Sequence, residues 1–243
     1  MSAPPPSTLV LLPGMDGTGL MFEPFLRQLQ GFEARVVRYP VSLTSYPDCI
    51  AFARAQLPVG RPFLLLGESF SGPVAIALAA ERPPGLLGLV LCGTFARNPR
   101  PSLAWTARFL RALPPTRLPL ALLHRLLLGR WTSGPLTELV LTMLPQVPTA
   151  TLKARLLAVL AVDHTALLDQ IQVPVLALCA AQDRLVPRAA TDWLRAHRPG
   201  LDIVTLQGPH WLLQTRPEAC LQAIRAFTER NQPQVPPPVE TSP

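Results

Sequence analysis

The sequence has few of the features that mark membrane-spanning or disulfide-rich proteins. No apolar run among its 243 residues approaches the roughly 18 residues that a membrane-spanning helix needs. The first residues contain no basic region and no apolar core of signal-peptide length, so we expect a cytoplasmic protein. The spacing of the four cysteines fits neither zinc ligands nor a disulfide framework, so we expect small buried side chains.

Acidic side chains are also scarce, and the net charge is +7. There is no block of arginines, no interleaved set of aromatic residues and no known nucleic-acid motif, so a nucleic-acid partner is not expected. Nine basic and three acidic residues lie between positions 94 and 170, which gives that stretch most of the excess charge. It forms either a solvated helical surface or a patch that attracts an acidic substrate or carrier protein.

Six short apolar runs alternate with helical patterns, in a chain long enough for one domain with a modest insertion. Near-continuous apolar strands alternating with helices predict a mostly parallel, six-stranded, doubly wound sheet of the α/β class. The predicted strands are Thr8–Leu12, Arg35–Arg38, Phe63–Leu66, Leu86–Cys92, Pro174–Cys179 and Asp202–Leu206. The predicted helices are Leu20–Gln30, Cys49–Gln56, Phe70–Arg82, Ala189–His197 and Pro217–Arg230.

The alternation is interrupted between residues 94 and 170. Proline and glycine separate four helical patterns there: Ser102–Leu113, Arg117–Leu128, Pro135–Leu144 and Thr149–Asp163. We therefore expect an inserted helical cap over residues 94–170, with residues 1–93 and 171–230 forming the core. Residues 231–243 are rich in proline and lack apolar periodicity, so we expect a disordered tail.

Residues 67–72 read Gly-Glu-Ser-Phe-Ser-Gly and lie between a predicted strand and a predicted helix. A serine with small neighbours in such a turn is typical of a nucleophile elbow. Ser69 is the candidate nucleophile, and the amide of Phe70 is a candidate donor to an oxyanion. Ser71 fits less well, because it would put Ser69 and Pro73 where this turn needs glycine.

The first predicted strand leads into a glycine-rich turn, in which residues 12–19 read Leu-Pro-Gly-Met-Asp-Gly-Thr-Gly. Its backbone can approach a ligand closely, which makes the amide of Met15 the second candidate oxyanion donor. A phosphate-binding loop is the competing interpretation. The lysine and the adjacent serine or threonine of a P-loop are absent from this turn.

An acidic residue and a histidine follow the last two predicted strands. Asp183 lies just past the fifth strand, and His210 follows the sixth in a Gly-Pro-His sequence. Taken singly, such an aspartate is more often a turn residue and such a histidine is more often incidental. The chain order of serine, acid and histidine is that of an α/β-hydrolase triad. Asp163 and Asp169 are alternative acids, but they lie in the insertion or in the linker that returns from it.

Together these motifs resemble the α/β-hydrolase superfamily over almost the whole chain, apart from the termini and the insertion. The resemblance implies Ser69 as nucleophile, His210 as general base and then acid, and Asp183 as the carboxylate that orients the imidazole. It also implies an oxyanion hole made by the amides of Met15 and Phe70, and neither a metal nor an organic cofactor. The chain departs from the usual pattern at Ser71, where the elbow normally has glycine, and because only about seven residues precede the first predicted strand, we expect no initial antiparallel hairpin.

A serine nucleophile indicates an acyl-enzyme formed from a small-molecule ester or thioester and released by water. Trp105, Phe109, Trp131 and Trp211 are the candidate contacts for a hydrophobic acyl or alcohol group. The same residues could serve an acyltransferase or a carrier-protein thioesterase or esterase. The two glycine-rich loops resemble those of bacterial hydrolases and, more loosely, of plant plastid acyltransferases that esterify phytol. A non-catalytic ligand-binding protein is the alternative from another class.

Overall fold

A six-stranded, all-parallel sheet forms the centre of the computed structural model, which describes residues 7–114 and 120–231. Its spatial order is β2-β1-β3-β4-β5-β6, so β2 lies on one side of β1, and the chain then crosses over β1 to build the four remaining strands on the other side. The predicted α/β fold with six parallel strands is therefore confirmed. The strands are β1 (Ser7–Leu12), β2 (Phe32–Val36), β3 (Phe63–Glu68), β4 (Leu86–Cys92), β5 (Val175–Ala180) and β6 (Asp202–Leu206).

Helices cover both faces of this sheet, and none within the described ranges is long and apolar enough to cross a lipid bilayer. The α-helices are α1 (Glu23–Gln28), α2 (Tyr46–Arg54), α3 (Gly72–Ala80), α4 (Ala107–Ala112), α5 (Leu120–Leu127), α6 (Gly134–Met143), α7 (Thr149–Ala161), α8 (Arg188–His197), α9 (Leu212–Thr215) and α10 (Pro217–Asn231). Short 3-10 helices occur at Leu20–Phe22, Ser69–Ser71, Pro101–Thr106, Gly129–Trp131, Leu144–Gln146 and Thr165–Gln170.

The core consists of two apolar layers, because successive side chains of a strand point to opposite faces of the sheet. On one face, Val10 and Leu65 pack with Ile76 of α3. On the other face, Leu9 and Leu64 pack with aromatic and aliphatic side chains of α1 and α10. Burying one such side chain contributes about 1.5–3 kcal/mol, so the two layers together make the sheet a rigid base for the loops at its edge.

The described chain between β4 and β5 is mostly helical, and it rests on the core through a third apolar cluster. In that cluster Leu128 and Val140 of the helical segment pack with Met21 and Trp211 of the core. The predicted helix Arg117–Leu128 begins outside the described residues, and α5 starts at Leu120. Asn231 belongs to α10, and the rest of the predicted tail, residues 232–243, lies outside the described ranges.

Candidate active site

Ser69 occupies the turn between β3 and α3 in a strained backbone conformation, with φ of 50°. A positive φ is rare for a residue that carries a side chain, and such strain often occurs at functional turns. Close packing keeps the turn tight, since a Cβ on Gly67 would lie 2.7 Å from both the Ala75 Cβ and the Ser71 carbonyl oxygen. The hydroxyl of Thr94 donates to the Ser69 carbonyl, which ties the elbow to the end of β4.

The structure brings Ser69, His210 and Asp183 together, although they are far apart in the chain. Ser69 Oγ lies 2.9 Å from His210 Nε2, and His210 Nδ1 lies 2.8 Å from Asp183 Oδ2. The side chains of His210 and Asp183 are 3% and 5% exposed, whereas Ser69 is partly accessible to solvent. A carboxylate can only accept, so Nδ1 of the imidazole donates to Asp183 and Nε2 can accept the Ser69 proton.

Asp183 has two roles that use different oxygens of one carboxylate. Oδ1 accepts from the backbone amides of Leu185 and Val186, each at 2.8 Å, and so closes the turn after β5. Oδ2 is left for His210. The turn role that an isolated aspartate would suggest is therefore present, and it fixes the rotamer that places Oδ2 against the imidazole.

The charges around His210 favour its protonated form. Burial by itself lowers the pKa of His210, but the charge and hydrogen bond of Asp183, together with the Glu68 charge, outweigh burial and raise it. Glu68 precedes Ser69 and is buried, and burial raises the pKa of Glu68 to about 7. Its side chain accepts a hydrogen bond from Gln214 Nε2 at 2.8 Å. The site thus holds a second titratable carboxyl group beside the imidazole.

The glycine-rich loop after β1 lies directly against the elbow. Leu12 at the end of β1 is paired with Gly67 of β3, which puts the two following loops side by side. A Cβ built on Gly14 would be 4.0 Å from Ser69 Cβ. The amide of Met15 therefore comes from a loop adjacent to Ser69. The amide of Phe70 lies at the start of a helix, where the first amides have no intrahelical acceptor.

The rejected alternatives for the serine and the acid lie elsewhere. Ser71 is fully buried, and its Oγ is hydrogen-bonded to the Pro13 carbonyl and the Tyr39 hydroxyl. Asp163 and Asp169 are exposed on the helical segment and its return linker, whereas His210 is paired with Asp183. Among the described residues, no group of three or more His, Cys, Asp or Glu side chains is arranged to hold a metal ion.

The four aromatic residues predicted to contact substrate occupy two kinds of environment. Trp105 and Phe109 are 58% and 50% exposed and pack edge to face, with ring centroids 5.7 Å apart. Trp211 is buried in the cluster that joins the helical segment to the core. Trp131 is partly exposed, with the guanidinium of Arg216 5.3 Å from its ring centroid. Trp211, the neighbour of His210 in sequence, packs between the helical segment and the core, and Trp131 of the segment lies beside Arg216 of the core.

Pattern analysis missed the polar residues that support the site. Thr94, Gln214, Tyr39 and Arg155 carry no motif that identifies them. A signal did exist for Glu68, because a carboxylate at the end of an otherwise apolar strand must be buried or face a site.

A profile of the alpha/beta hydrolase family matches residues 9–223, and the chain therefore belongs to that family. It is 30% identical over 237 residues to the biotin biosynthesis bifunctional protein BioHC of Cellvibrio japonicus (strain Ueda107), covering 89% of this chain and 44% of that protein. It is 34% identical over 104 residues to phytyl ester synthase 1, chloroplastic, of Arabidopsis thaliana, covering 38% of this chain and 15% of that protein. The chain thus spans less than half the length of these two relatives.

Among solved structures, an esterase from Exiguobacterium antarcticum matches with a TM-score of 0.76 at 16% identity, covering 92% of each chain. At this identity the likeness concerns the fold. The expected resemblance to the α/β-hydrolase superfamily is confirmed by the family match over most of the chain.

Proposed function

We propose that this enzyme is a serine hydrolase that cleaves a carboxylic ester or thioester through an acyl-enzyme on Ser69. The observation that carries the proposal is the unbroken hydrogen-bond chain from Ser69 through His210 to Asp183, with lengths of 2.9 and 2.8 Å. These three side chains follow β3, β6 and β5, at the sheet edge where α/β proteins bind ligands. The strained φ at Ser69 adds support, because it is the conformation expected of a nucleophile elbow.

In the first half of the proposed reaction, Ser69 Oγ attacks the carbonyl carbon of the substrate while His210 Nε2 takes the hydroxyl proton. Negative charge develops on the carbonyl oxygen, and the amides of Met15 and Phe70 are the proposed donors to it. The tetrahedral intermediate collapses by breaking the bond to the leaving alcohol or thiol, which receives the proton from His210. The acyl group remains esterified to Ser69.

In the second half, water attacks the acyl carbon and gives its proton to Nε2 of His210. Collapse of the second tetrahedral intermediate breaks the bond to Ser69 Oγ, which regains its proton from the imidazole. The carboxylic acid leaves and the enzyme returns to its starting state. Throughout both halves, Asp183 stays ionised and holds Nδ1, so that the imidazolium formed at each attack is stabilised.

We also propose that residues 94–170 form a cap that supplies an apolar wall for the acyl or alcohol group. Trp211, next to His210 in the chain, packs with Leu127 and Leu128, and its amide lies 3.4 Å from the Leu127 carbonyl oxygen. The carboxyl end of α5 is therefore close to the proposed base. The exposed side chains of Trp105 and Phe109 are the proposed outer contacts of a longer chain. Activity on a series of esters and thioesters of increasing acyl length would show how long a chain the apolar surface accommodates.

Labelling by a fluorophosphonate tests the chemistry directly, because such probes phosphonylate only an activated serine. We expect stoichiometric labelling of the wild type, and loss of both labelling and esterase activity by about 10⁴-fold or more in Ser69→Ala and His210→Ala. Ser133→Ala is the matched control, because Ser133 is exposed and its side chain makes no capping hydrogen bond. A folded wild type that is neither labelled nor active would favour a non-catalytic ligand-binding protein.

An acyltransferase is a second candidate, favoured by the local likeness to phytyl ester synthase 1. In this version an alcohol replaces water in the second half of the reaction, and the product is a new ester. Incubation with an acyl donor and a long-chain alcohol, followed by product analysis, separates the two. Ester as the main product in the presence of excess water would favour the acyltransferase, whereas free acid alone would favour the hydrolase.

A carrier-protein thioesterase or esterase is a third candidate, favoured by charge. The helical segment exposes arginines that could dock an acidic carrier: Arg100, Arg108, Arg111, Arg125 and Arg130. Exposed charges are screened within roughly 10 Å at 0.1 M salt, so docking of this kind weakens as salt is added. Strong salt inhibition with carrier-linked substrates, absent with small esters, would support it. Equal salt sensitivity for both substrates would count against it.

A further inference from the structure

The loop that follows β1, residues 13–17, is fixed through each of its five backbone carbonyl groups. One hydrogen bond across the turn would be enough to close it. The additional donors come from α7, from the elbow and from the backbone after β2. The pairs are Pro13 with the Ser71 hydroxyl, Gly14 with the Gly17 amide at 3.0 Å, Met15 and Asp16 with Nη1 of Arg155 at 2.8 and 2.9 Å, and Gly17 with the Tyr39 amide at 2.8 Å.

Arg155 reaches this loop from α7, in the helical segment between β4 and β5. Its side chain is fully buried, and its Nε and Nη2 donate to the carbonyls of Leu43 and Pro40 at 3.0 and 3.1 Å. Burying a guanidinium is costly unless its donors are satisfied. Here four charge-assisted bonds to backbone carbonyls offset that cost, and such bonds hold their acceptors more firmly than neutral ones.

Gly17 shows that the loop and Arg155 fit closely together. Its φ is 74°, and a Cβ added there would lie 2.4 Å from Nη1 of Arg155. A side chain at this position would therefore be strained and would also displace the guanidinium. The glycine leaves room for Nη1 to bind the two preceding carbonyls together.

Ser71 holds the other end of the same loop. Its hydroxyl donates to the Pro13 carbonyl, and its oxygen lies 3.0 Å from the Tyr39 hydroxyl. Since the Ser71 proton is used on Pro13, the Tyr39 hydroxyl is the donor in that second bond. The serine that replaces the usual elbow glycine thus connects the elbow to the neighbouring loop.

We propose that Arg155 and Ser71 are positioning residues that orient the Met15 amide as an oxyanion donor; this inference rests on the proposed function. The Gly14 carbonyl and the Met15 N–H belong to one planar peptide and point in opposite directions. Ser71 holds the peptide before this one and Arg155 holds the two after it, so the middle peptide has little freedom to rotate. Within residues 7–114 and 120–231, the Met15 amide donates to no protein acceptor and is free for a ligand oxygen.

The test compares kcat and KM of four variants with those of the wild type: Arg155→Met, Arg155→Lys, Ser71→Ala and Ser71→Gly. The concentration of active sites, by which kcat is calculated, is measured by titration with a fluorophosphonate. We expect kcat to fall by about 10- to 10³-fold while KM changes little, because an oxyanion donor acts in the transition state. The inhibition constant of a trifluoromethyl ketone, which forms a tetrahedral adduct with serine, should rise in proportion to the loss of kcat/KM. The pH at which kcat/KM falls to half on acidification should not change.

Arg225→Met is the matched arginine control, because Arg225 also donates to a backbone carbonyl, that of Gln30, but is only partly buried. Its kcat and inhibition constant should equal those of the wild type. If Arg155→Met folds poorly, the result for Ser71→Gly decides the test, because glycine is the usual residue at this position of the elbow. Hydrogen exchange of residues 13–17 gives a second readout, because a released loop should exchange faster while β3 stays protected.

The possible outcomes separate this proposal from the proposed function. If the wild type hydrolyses esters through Ser69 but the Arg155 and Ser71 variants keep its kcat and inhibition constant per titrated site, positioning by these residues is wrong and the hydrolase stands. A loss of kcat with an unchanged inhibition constant would also overturn the positioning role. A wild type without serine-dependent activity would refute the proposed function, and the positioning role with it.

Discussion

The sheet core and the helical segment between β4 and β5 differ in how completely they bury their apolar side chains. In the core, whole strands such as β3 are buried, and the buried side chains of Glu68 and Gln214 are hydrogen-bonded to each other. In the described part of the helical segment, large apolar side chains remain exposed: Leu103, Trp105, Phe109, Leu113, Leu122, Leu141 and Leu156. The described core exposes only Val41, Val59 and Leu87 among such residues. The core keeps the side chains of the candidate site in fixed positions, whereas the helical segment presents apolar side chains to solvent.

The largest effect should come from the core site, through Asp183→Asn. An asparagine can present N–H to Nδ1 and so favour the imidazole tautomer whose Nε2 carries the proton. That tautomer cannot accept the Ser69 proton, and kcat should fall by about 10³- to 10⁴-fold. Steady-state kinetics with a small ester measure this. Asp192→Asn on α8 is the control, because the Asp192 side chain is 53% exposed and its carboxylate lies 4.0 Å from Nε of Arg188 on the same helix. Activity of Asp183→Asn within tenfold of the wild type would contradict the assignment.

The second largest difference between the two regions should be in the free energy of unfolding that a truncated side chain costs. Leu11 on β1 is completely buried, so Leu11→Ala should lower the free energy of unfolding by about 2–5 kcal/mol. Leu141 on α6 is 51% exposed, so Leu141→Ala should change it by less than about 0.5 kcal/mol. Chemical denaturation of both variants under one set of conditions gives the two values. Equal losses would mean that the segment is packed as tightly as the core.

The pH dependence sharpens the description of the core site. Because the pKa of His210 is raised above 6.5, wild-type kcat/KM should fall on acidification with a midpoint above that value. Glu68→Gln removes a negative charge that contributes to this rise, so the midpoint should move to lower pH. The amide can keep its contact with Gln214. A pH–rate profile of both proteins checks the sign, and a shift to higher pH would mean that Glu68 does not act through its charge.

The smallest effect should come from the exposed aromatic pair. Trp105→Ala and Phe109→Ala should leave the free energy of unfolding within about 0.5 kcal/mol of the wild type, since both side chains are half exposed. If they contact substrate as proposed, KM for long-chain esters should rise by less than about tenfold, and KM for short esters should not change. An unchanged KM at every chain length would remove these residues from the substrate site.

The same contrast between regions explains what could be predicted from the sequence. Apolar composition marks the buried parallel strands, and Leu86–Cys92 has the predicted bounds. Asp202–Leu206 also has the predicted bounds, although it is an edge strand and only partly buried. The second strand was predicted at Arg35–Arg38 but lies at Phe32–Val36. It is the other edge strand, and its middle residues are exposed, so apolar content did not mark it. The buried residues Val37 and Tyr39 come after the strand, and they moved the prediction toward the carboxyl end.

The candidate triad could be named in advance because its residues follow strands in a fixed order. Its supporting residues could not, because their roles depend on where distant backbone groups meet. Arg155 counts in the sequence as one more basic residue of a charged segment, yet it is completely buried. Its four carbonyl acceptors come from two loops more than a hundred positions away in the chain. No local pattern contains that information.

The origin of Arg155 on α7 has a consequence for engineering this protein. Exchanging residues 94–170 for the corresponding part of a relative is an obvious way to alter substrate range. Such a chimera would lose the guanidinium that braces the turn beside Ser69, unless the transplanted helix brought an equivalent arginine. Turnover would then fall for every substrate, for a reason unrelated to the new binding surface.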